Sequence, residues 1–288
     1  MERRRLRKDI RLNLYYPDWD SRANHTELYP QLRVITSQPI GHWFGSSPTK
    51  PTKRVKSRVH RLCRRAHPHQ PIIVIYSIPN RDLGHYSRGG HKEEKSYLKF
   101  IREITAGIGD YNPIIIFEPD AIPHISNMKF EDGFRRLQLI KKSLQILQRC
   151  NGRLYVDMGN PKWLKPNQVK RYIDWINEPI DGFVVNTSNY WDLKTCHQWG
   201  DKVSKMVNLH YLIDTSRNGV GSLGTDDWCN PPNRALGVFP TTRTSSEYCE
   251  AYLWIKVPGE SDGTLNGGPK AGRFFLEQAL SLIENVGR

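Results

Sequence analysis

Short apolar, β-branched runs recur along the chain, separated by amphipathic stretches. The runs at 12–16, 33–37, 72–78, 114–118, 154–158, 182–186, 209–214 and 251–257 are candidate strands. Residues 53–66, 93–108, 130–149, 167–177 and 271–286 instead repeat apolar side chains at helical spacing, as Leu137, Ile140, Leu144 and Leu147 do. Strands alternating with helices predict an α/β fold with a parallel sheet, either doubly wound or closed into a barrel, and seven to eight strands favour the TIM-like barrel. Stretches 38–50, 83–92, 215–248 and 258–270 each follow a strand and are expected as long loops on the face where such folds build their sites. No repeat, low-complexity tract or Pro/Gly-rich linker interrupts the pattern. The expected organisation is a basic segment, 1–11, followed by a single domain, 12–288.

Composition narrows the class. No apolar run reaches the roughly 18 residues that a membrane helix needs, and 8 Trp, 13 Tyr and 9 Phe supply more aromatic surface than a disordered chain carries. The net charge of +14 is concentrated in two places. Residues 1–11 hold six basic and two acidic residues, residues 50–65 hold eight basic and none acidic, and the rest is near neutral. Nucleic acid is therefore not expected as the main partner: Val55, Val59, Leu62 and Ala66 make 53–66 an amphipathic surface helix, and no aromatic residue interleaves its charges. The five Cys show no metal-binding spacing, and an odd count leaves one thiol unpaired within a monomer. No signal peptide is visible at the basic N-terminus.

Polar residues gather at or just beyond the C-terminal ends of the expected strands: Gln38 and Trp43; Tyr76, Arg81 and Asp82; Glu118 and Asp120; Asp157, Asn160 and Trp163; Asn186 and Asn189; Asp214 and Arg217; Lys256, Glu260 and Asp262. Closing the barrel would bring carboxylates from five strand ends to one rim. A single Asp at such a place is an ordinary helix cap or turn former. Several in one groove suit glycoside hydrolysis, where one carboxyl donates a proton while another, ionised, manages charge and water. Metal binding is disfavoured because no His stands at the matching strand ends, and no cofactor is expected. Trp43, Trp163 and Trp228, all in expected loops, offer flat faces on which sugar rings can stack.

The segments Val74-Ile-Tyr-Ser-Ile-Pro-Asn-Arg-Asp82, Tyr86-Ser-Arg-Gly-Gly90 and Ile114-Ile-Ile-Phe-Glu-Pro-Asp-Ala-Ile-Pro123 resemble the signatures of glycoside hydrolase family 6, the inverting endoglucanases and cellobiohydrolases. Tyr155-Val-Asp-Met-Gly159, Gly182-Phe-Val-Val-Asn-Thr-Ser-Asn-Tyr190, Trp228-Cys-Asn230 and Trp254-Ile-Lys-Val-Pro-Gly-Glu-Ser-Asp-Gly263 extend the likeness in the family's order. The resemblance implies an inverting endo-β-1,4-glucanase with Asp120 as general acid, Asp82 raising its proton affinity, Tyr76 pressing on the distorted sugar and Asp262 as base or water relay. Ser87 would help hold the water. Trp43, Arg81, Asp157, Asn160, Trp163, Asn186, Asn189, Trp228, Lys256 and Glu260 would bind the β-1,4-glucan. Leu83 stands where the family has Cys, both usual disulfides look absent, and Cys229 is expected free. Asn160 replaces a common His. Cellobiohydrolases of the family need loops long enough to roof the groove into a tunnel. The loops after Asp82 and Asp262 are too short for that, so the resemblance implies a distorted barrel with an open cleft and endo-cleavage rather than an exo-acting cellobiohydrolase. A polyanion- or nucleic-acid-binding protein using 1–11 and 50–65 is the alternative from another class, and Asp214 with Arg217 is expected to be structural. The resemblance also implies secretion and a monomer, and no separate carbohydrate-binding module is visible.

Overall fold

The structure, a computed structural model, describes residues 12–16, 26–45, 54–221 and 228–287. Among the described residues, seven strands form one parallel sheet in chain order: β1 (Gly41–Phe44), β2 (Ile72–Ile75), β3 (Ile114–Phe117), β4 (Arg153–Asp157), β5 (Gly182–Val185), β6 (His210–Asp214) and β7 (Cys249–Leu253). The helices are α1 (Arg33–Thr36), α2 (Val55–Ala66), α3 (Glu94–Ile108), α4 (Phe130–Leu147), α5 (Pro166–Ile176), α6 (Leu193–Val207) and α7 (Leu276–Glu284). The sheet curls into a barrel-like α/β fold, as the alternating pattern predicts.

The two-residue period of each strand sorts its side chains into separate cores. Ile72, Val74, Ile114, Ile116, Tyr155, Val184, Leu212 and Leu253 fill the inside of the curl. Their neighbours Ile73, Ile75, Ile115, Phe117, Val156, Phe183 and Ile213 face outward onto helix residues such as Tyr97, Ile101 and Ile104 of α3 and Ile140 and Leu144 of α4. Complete burial on both faces explains the near-continuous apolar strand sequences.

The edges of the sheet meet at one parallel bridge, Ile40 to Trp254, where the Gly41 N–H donates to the Trp254 carbonyl at 2.9 Å. A third apolar cluster fills this seam, with Leu32 and Ile35 from the α1 region, Ile40, Trp254 and Val257 at the edges, and Ala279 and Leu282 from α7.

Four expectations need correction. Residues 33–37 are not a strand: Arg33–Thr36 is helical, because Leu32 and Ile35 are buried three apart, on one side of a turn. The first strand lies in 41–44, a stretch expected as loop. Residues 12–16 form only a bridge between Leu14 and Gln70, with Leu12 and Leu14 buried in the inner core. Helix α6 was not foreseen, although Asp192 caps it by accepting the Thr195 N–H at 2.8 Å and Cys196, Trp199 and Val203 form its buried face. The basic segment 1–11 lies outside the described residues. All five cysteines are free, Cys229 among them.

A Cβ on Gly41 would stand 2.2 Å from the Ile255 carbonyl oxygen, so the seam requires glycine there. Gly41→Ala is expected to cost about 1–3 kcal/mol of stability, read as a lowered denaturant midpoint; an unchanged midpoint would mean that the two edges do not meet in this way.

Candidate active site

A cleft of about 1390 Å³ crosses the C-terminal ends of the strands. Trp43, Tyr76, Arg81, Asp82, Ser87, Asp120, Asn160, Trp163, Asn189, Trp228, Lys256, Glu260 and Asp262 line it. Most of the residues singled out in the sequence therefore converge on one space. Asp157 and Asn186 do not line it, being fully buried beneath. The Asn186 amide is committed to the fold: it donates to the Asp214 carbonyl at 2.9 Å and accepts from the Trp191 N–H at 3.1 Å.

Left-handed backbone, rare away from glycine, concentrates at these strand ends: Asp82 (φ 59°), Leu83 (φ 43°), Glu118 (φ 45°), Asp120 (φ 67°), Asn186 (φ 73°) and Ser188 (φ 59°). Glu118 and Asp120 flank Pro119, and the two turns send their carboxyls to different places. Glu118 is buried under the loop after β2, where it accepts from the Ser77 N–H at 2.9 Å, the Ile78 N–H at 3.1 Å and the Tyr97 hydroxyl at 2.8 Å. Asp120 turns into the cleft.

The four carboxyls nearest the cleft differ in environment. Burial, then the charges of Asp157, Asp82 and Asp262, push the Asp120 carboxyl well above its usual range, against the pull of Lys256. Asp157 lies below it and accepts from the Asp120 N–H at 3.0 Å, the Gly159 N–H at 3.0 Å and the Thr187 hydroxyl at 2.6 Å. Burial outweighs these bonds and raises Asp157 to about 6. Asp82 accepts from the Ser87 N–H at 2.7 Å and stands 3.6 Å from the His124 Nε2. Asp262 is the opposite case. Burial alone would raise it, but Arg217 at 2.7 Å and Lys256 at 3.1 Å override burial and hold its carboxyl below the usual range.

The walls follow from the same loops. Arg81 does not pair with Asp82 as a surface ion pair would; it donates to the Tyr76 and Ser87 carbonyls at 2.7 and 2.8 Å and lies 4.4 Å over the Tyr76 ring. Trp43 meets Tyr76 edge-on at 5.3 Å and donates to the Ile255 carbonyl at 2.9 Å. Trp163 packs edge-on against His124 at 4.9 Å. Tyr86 reaches Trp228 at 5.7 Å, and a Cβ on Gly263 would lie 2.7 Å from the Tyr86 ring, so the loop carrying Ser87 touches the wall that carries Asp262. Asn160 lies beside Asn189, with its Oδ1 accepting from the Lys162 N–H at 3.0 Å. Among the described residues no group of His, Cys, Asp and Glu could hold a metal ion.

Sequence reasoning missed several partners. Arg217, fully buried, pairs with Asp262 rather than with Asp214. Asp214 is structural: it accepts the N–H groups of Ser188 at 3.0 Å, Ser216 at 2.9 Å and Lys256 at 2.9 Å, joining three strand ends. Arg136 of α4 donates to the Pro79 and Asn80 carbonyls at 3.1 and 2.9 Å and reaches the Ala121 carbonyl at 3.5 Å, tying the Asp82 loop to the Asp120 loop. His124 was discoverable four positions after Asp120, where a helical turn returns its N–H to the Asp120 carbonyl at 3.0 Å.

Residues 18–286 match the family described as Glycosyl hydrolases family 6. The chain belongs to that family. It is 38% identical over 218 residues to endoglucanase A of Cellulomonas fimi, covering 75% of this chain and 47% of that protein. It is 33% identical over 263 residues to endoglucanase A of Thermobispora bispora, covering 88% and 56%. The chain thus spans about half the length of these curated relatives. Among solved structures, the endoglucanase Cel6 of Mycobacterium tuberculosis, in complex with a methyl-cellobiosyl-thio-cellobioside, superimposes with a TM-score of 0.90 at 32% identity, covering 96% of this chain and 98% of that one. Probable cellobiohydrolase C of Aspergillus fumigatus is also similar, 28% identical over 327 residues, covering 91% of this chain and 72% of that protein.

Burial raises Glu118 to about 7 despite its hydrogen bonds. A folded-state value above the unfolded one means that the native state holds the extra proton between about pH 4.5 and 7. The stability contributed by protonated Glu118 is full below that window and is lost as pH rises through it. Glu118→Gln is expected to flatten this part of the stability-versus-pH curve, measured by urea unfolding at several pH values; an unchanged slope would assign the dependence to other carboxyls.

Proposed function

We propose that the chain is an inverting endo-β-1,4-glucanase acting on cellulose or related β-1,4-glucans, with Asp120 as general acid. The observation that carries this is the contrast in one cleft between Asp120, buried and crowded by three carboxyls that raise its proton affinity, and Asp262, paired with Arg217 at 2.7 Å and Lys256 at 3.1 Å, which lower it. Inverting hydrolysis needs those two states together. The endoglucanase relatives support the same reading.

In this mechanism Asp120 passes its proton to the glycosidic oxygen as the bond to C1 breaks. The oxocarbenium-like charge develops near Asp82 and Asp157, whose negative fields stabilise it. Water attacks C1 from the opposite face, oriented by Asp262 and by the Ser87 loop. Because its cations lower its proton affinity, Asp262 suits orienting the water and passing the released proton onward better than keeping it. Tyr76, buttressed by Trp43 and by the Arg81 guanidinium, forms a rigid surface against the distorted sugar. Trp43, Trp163 and Trp228 offer stacking faces, while Asn160, Asn189, Lys256 and Glu260 supply hydrogen bonds to hydroxyls. Asp157 acts from below through the Asp120 backbone and its own charge. The short stretches after Asp82 and before α7 favour endo-cleavage, and action on an insoluble polymer implies work outside the cell. No helix of the described residues is long and apolar enough to cross a membrane.

Asp120→Asn is expected to lower hydrolysis of soluble β-1,4-glucan by on the order of 10²–10⁴-fold. For the wild type, viscosity should collapse before many reducing ends appear. Slow viscosity loss with steady release of cellobiose would establish the exo-acting alternative instead, and no activity on any β-glucan would sink both.

The pH profile gives a second check. Activity requires protonated Asp120 and so is lost as pH rises through its elevated pKa. Asp82→Asn removes a like charge, so the alkaline limb of kcat/KM should move to lower pH. A limb that stays in place would show that Asp82 does not tune the acid.

A further inference from the structure

None of the described basic residues from Arg54 to Arg65 lines the cleft, and they are organised along one helix. Helix α2 buries Val55, Val59, Cys63 and Ala66 and leaves Arg54, Lys56, Arg58, Arg61, Arg64 and Arg65 exposed at or along it, with no acidic residue on the helix. Arg58, Arg61 and Arg65 follow i, i+3, i+7 spacing and form one line, roughly 10 Å long at about 1.5 Å per residue. Their neighbours make like-charge pairs at i,i+3 and i,i+4, which oppose helix formation. Basic residues in the first turn also oppose the helix dipole. Other helices offset exposed charge with ion pairs, Arg135 with Asp132 on α4 and Lys170 with Asp174 on α5. On α2 no arginine has an ion pair with a described residue.

One end of the line lies near the cleft end of β1, on the outer side of that strand. The Arg58 guanidinium lies 5.2 Å over the ring of Phe44, and Phe44 stands between Trp43 and Gly45, both of which line the cleft. We propose that α2 is a docking stripe for a carboxylated polysaccharide, a partner distinct from the chain held in the cleft. The row of guanidinium forks matches carboxylates repeated along a linear glycan. The absence of interleaved aromatics disfavours stacked single-stranded nucleic acid. The choice of a glycan over other polyanions rests on reading the cleft as a glucan-hydrolysing site. By holding acidic glycan beside the cleft rim, the stripe would keep the enzyme on mixed polysaccharide material in which neutral and acidic chains lie together.

The test is binding of the full chain to soluble polygalacturonate, followed by affinity electrophoresis, with hydrolysis of a neutral soluble β-glucan measured in parallel. Wild type should bind, and affinity should fall on the order of tenfold as salt rises from about 50 to 200 mM. Arg58→Gln/Arg61→Gln/Arg65→Gln should abolish retention yet hydrolyse neutral glucan at the wild-type rate, which also shows that it folds. Lys194→Gln/Lys202→Gln/Lys205→Gln, which removes the same charge from exposed positions on α6, should bind as wild type does. No retention of wild type at low salt, equal loss in both triple variants, or tighter binding to duplex DNA than to polygalacturonate would each overturn the proposal. Failure to hydrolyse any glucan would remove the reading of the cleft, and retention on polygalacturonate would be scored separately.

Discussion

Placing several carboxyl groups at the mouth of one parallel barrel is the constraint on which the rest of this structure depends. They cannot all be ionised at short range, and burial alone penalises each charge. Cations compensate only one of them strongly: Asp262, held between Arg217 and Lys256. Glu118, Asp157 and Asp214 instead draw backbone N–H groups from neighbouring strand ends, and burial still leaves each above its usual range. The Asp120 carboxyl makes no hydrogen bond with a described residue, Lys256 pulls against the crowding without overcoming it, and Asp120 stands well above its usual range. The distribution of proton affinity across the cleft follows from where cations and amides were placed.

Those hydrogen bonds also build the cleft. Asp157 holds the Asp120 amide, Glu118 holds the loop behind Tyr76, Asp214 joins the ends of β5, β6 and β7, and Arg136 links the loops of Asp82 and Asp120. Geometry and electrostatics are therefore coupled: changing a charge in this layer also releases a loop that carries another charge. Buried polar networks behave this way because each member is costly when left without its partner.

The strands from β2 to β6 were legible because burial on both faces produces unbroken apolar runs such as Ile72–Ile75 and Ile114–Phe117. β1 was hidden because Gly41, His42 and Trp43 have the composition of a loop; its place is fixed by close approach to the Ile255 backbone, which no local pattern records. The stretch 33–37 misled because two apolar residues within five satisfy either period. At the site, Asp82, Asp120 and Asp262 were legible through motifs, whereas their environments were not. Arg217 was grouped with Asp214 as structural, yet its carboxylate partner Asp262 lies 45 positions away. Asn186 stands where a ligand contact would be expected, and its amide instead bonds the Asp214 backbone of β6 and Trp191 of its own loop. Chain distance carries no information about such pairings when each strand end contributes one residue to a common layer.

The seam between β1 and β7 explains why the cleft lies where it does. A fully hydrogen-bonded ring would enclose the strand ends all round, but here the edges meet at Ile40 and Trp254 and the apolar plug from α1 and α7 takes over the packing. Beyond that bridge, Gly41, His42 and Trp43 line one side and Lys256, Val257 and Glu260 the other. The Trp43 indole N–H still donates to the Ile255 carbonyl at 2.9 Å, linking the two edges beyond the bridge. A sheet that stops short of closure thereby leaves an opening across the carboxyl layer without dismantling the barrel beneath it.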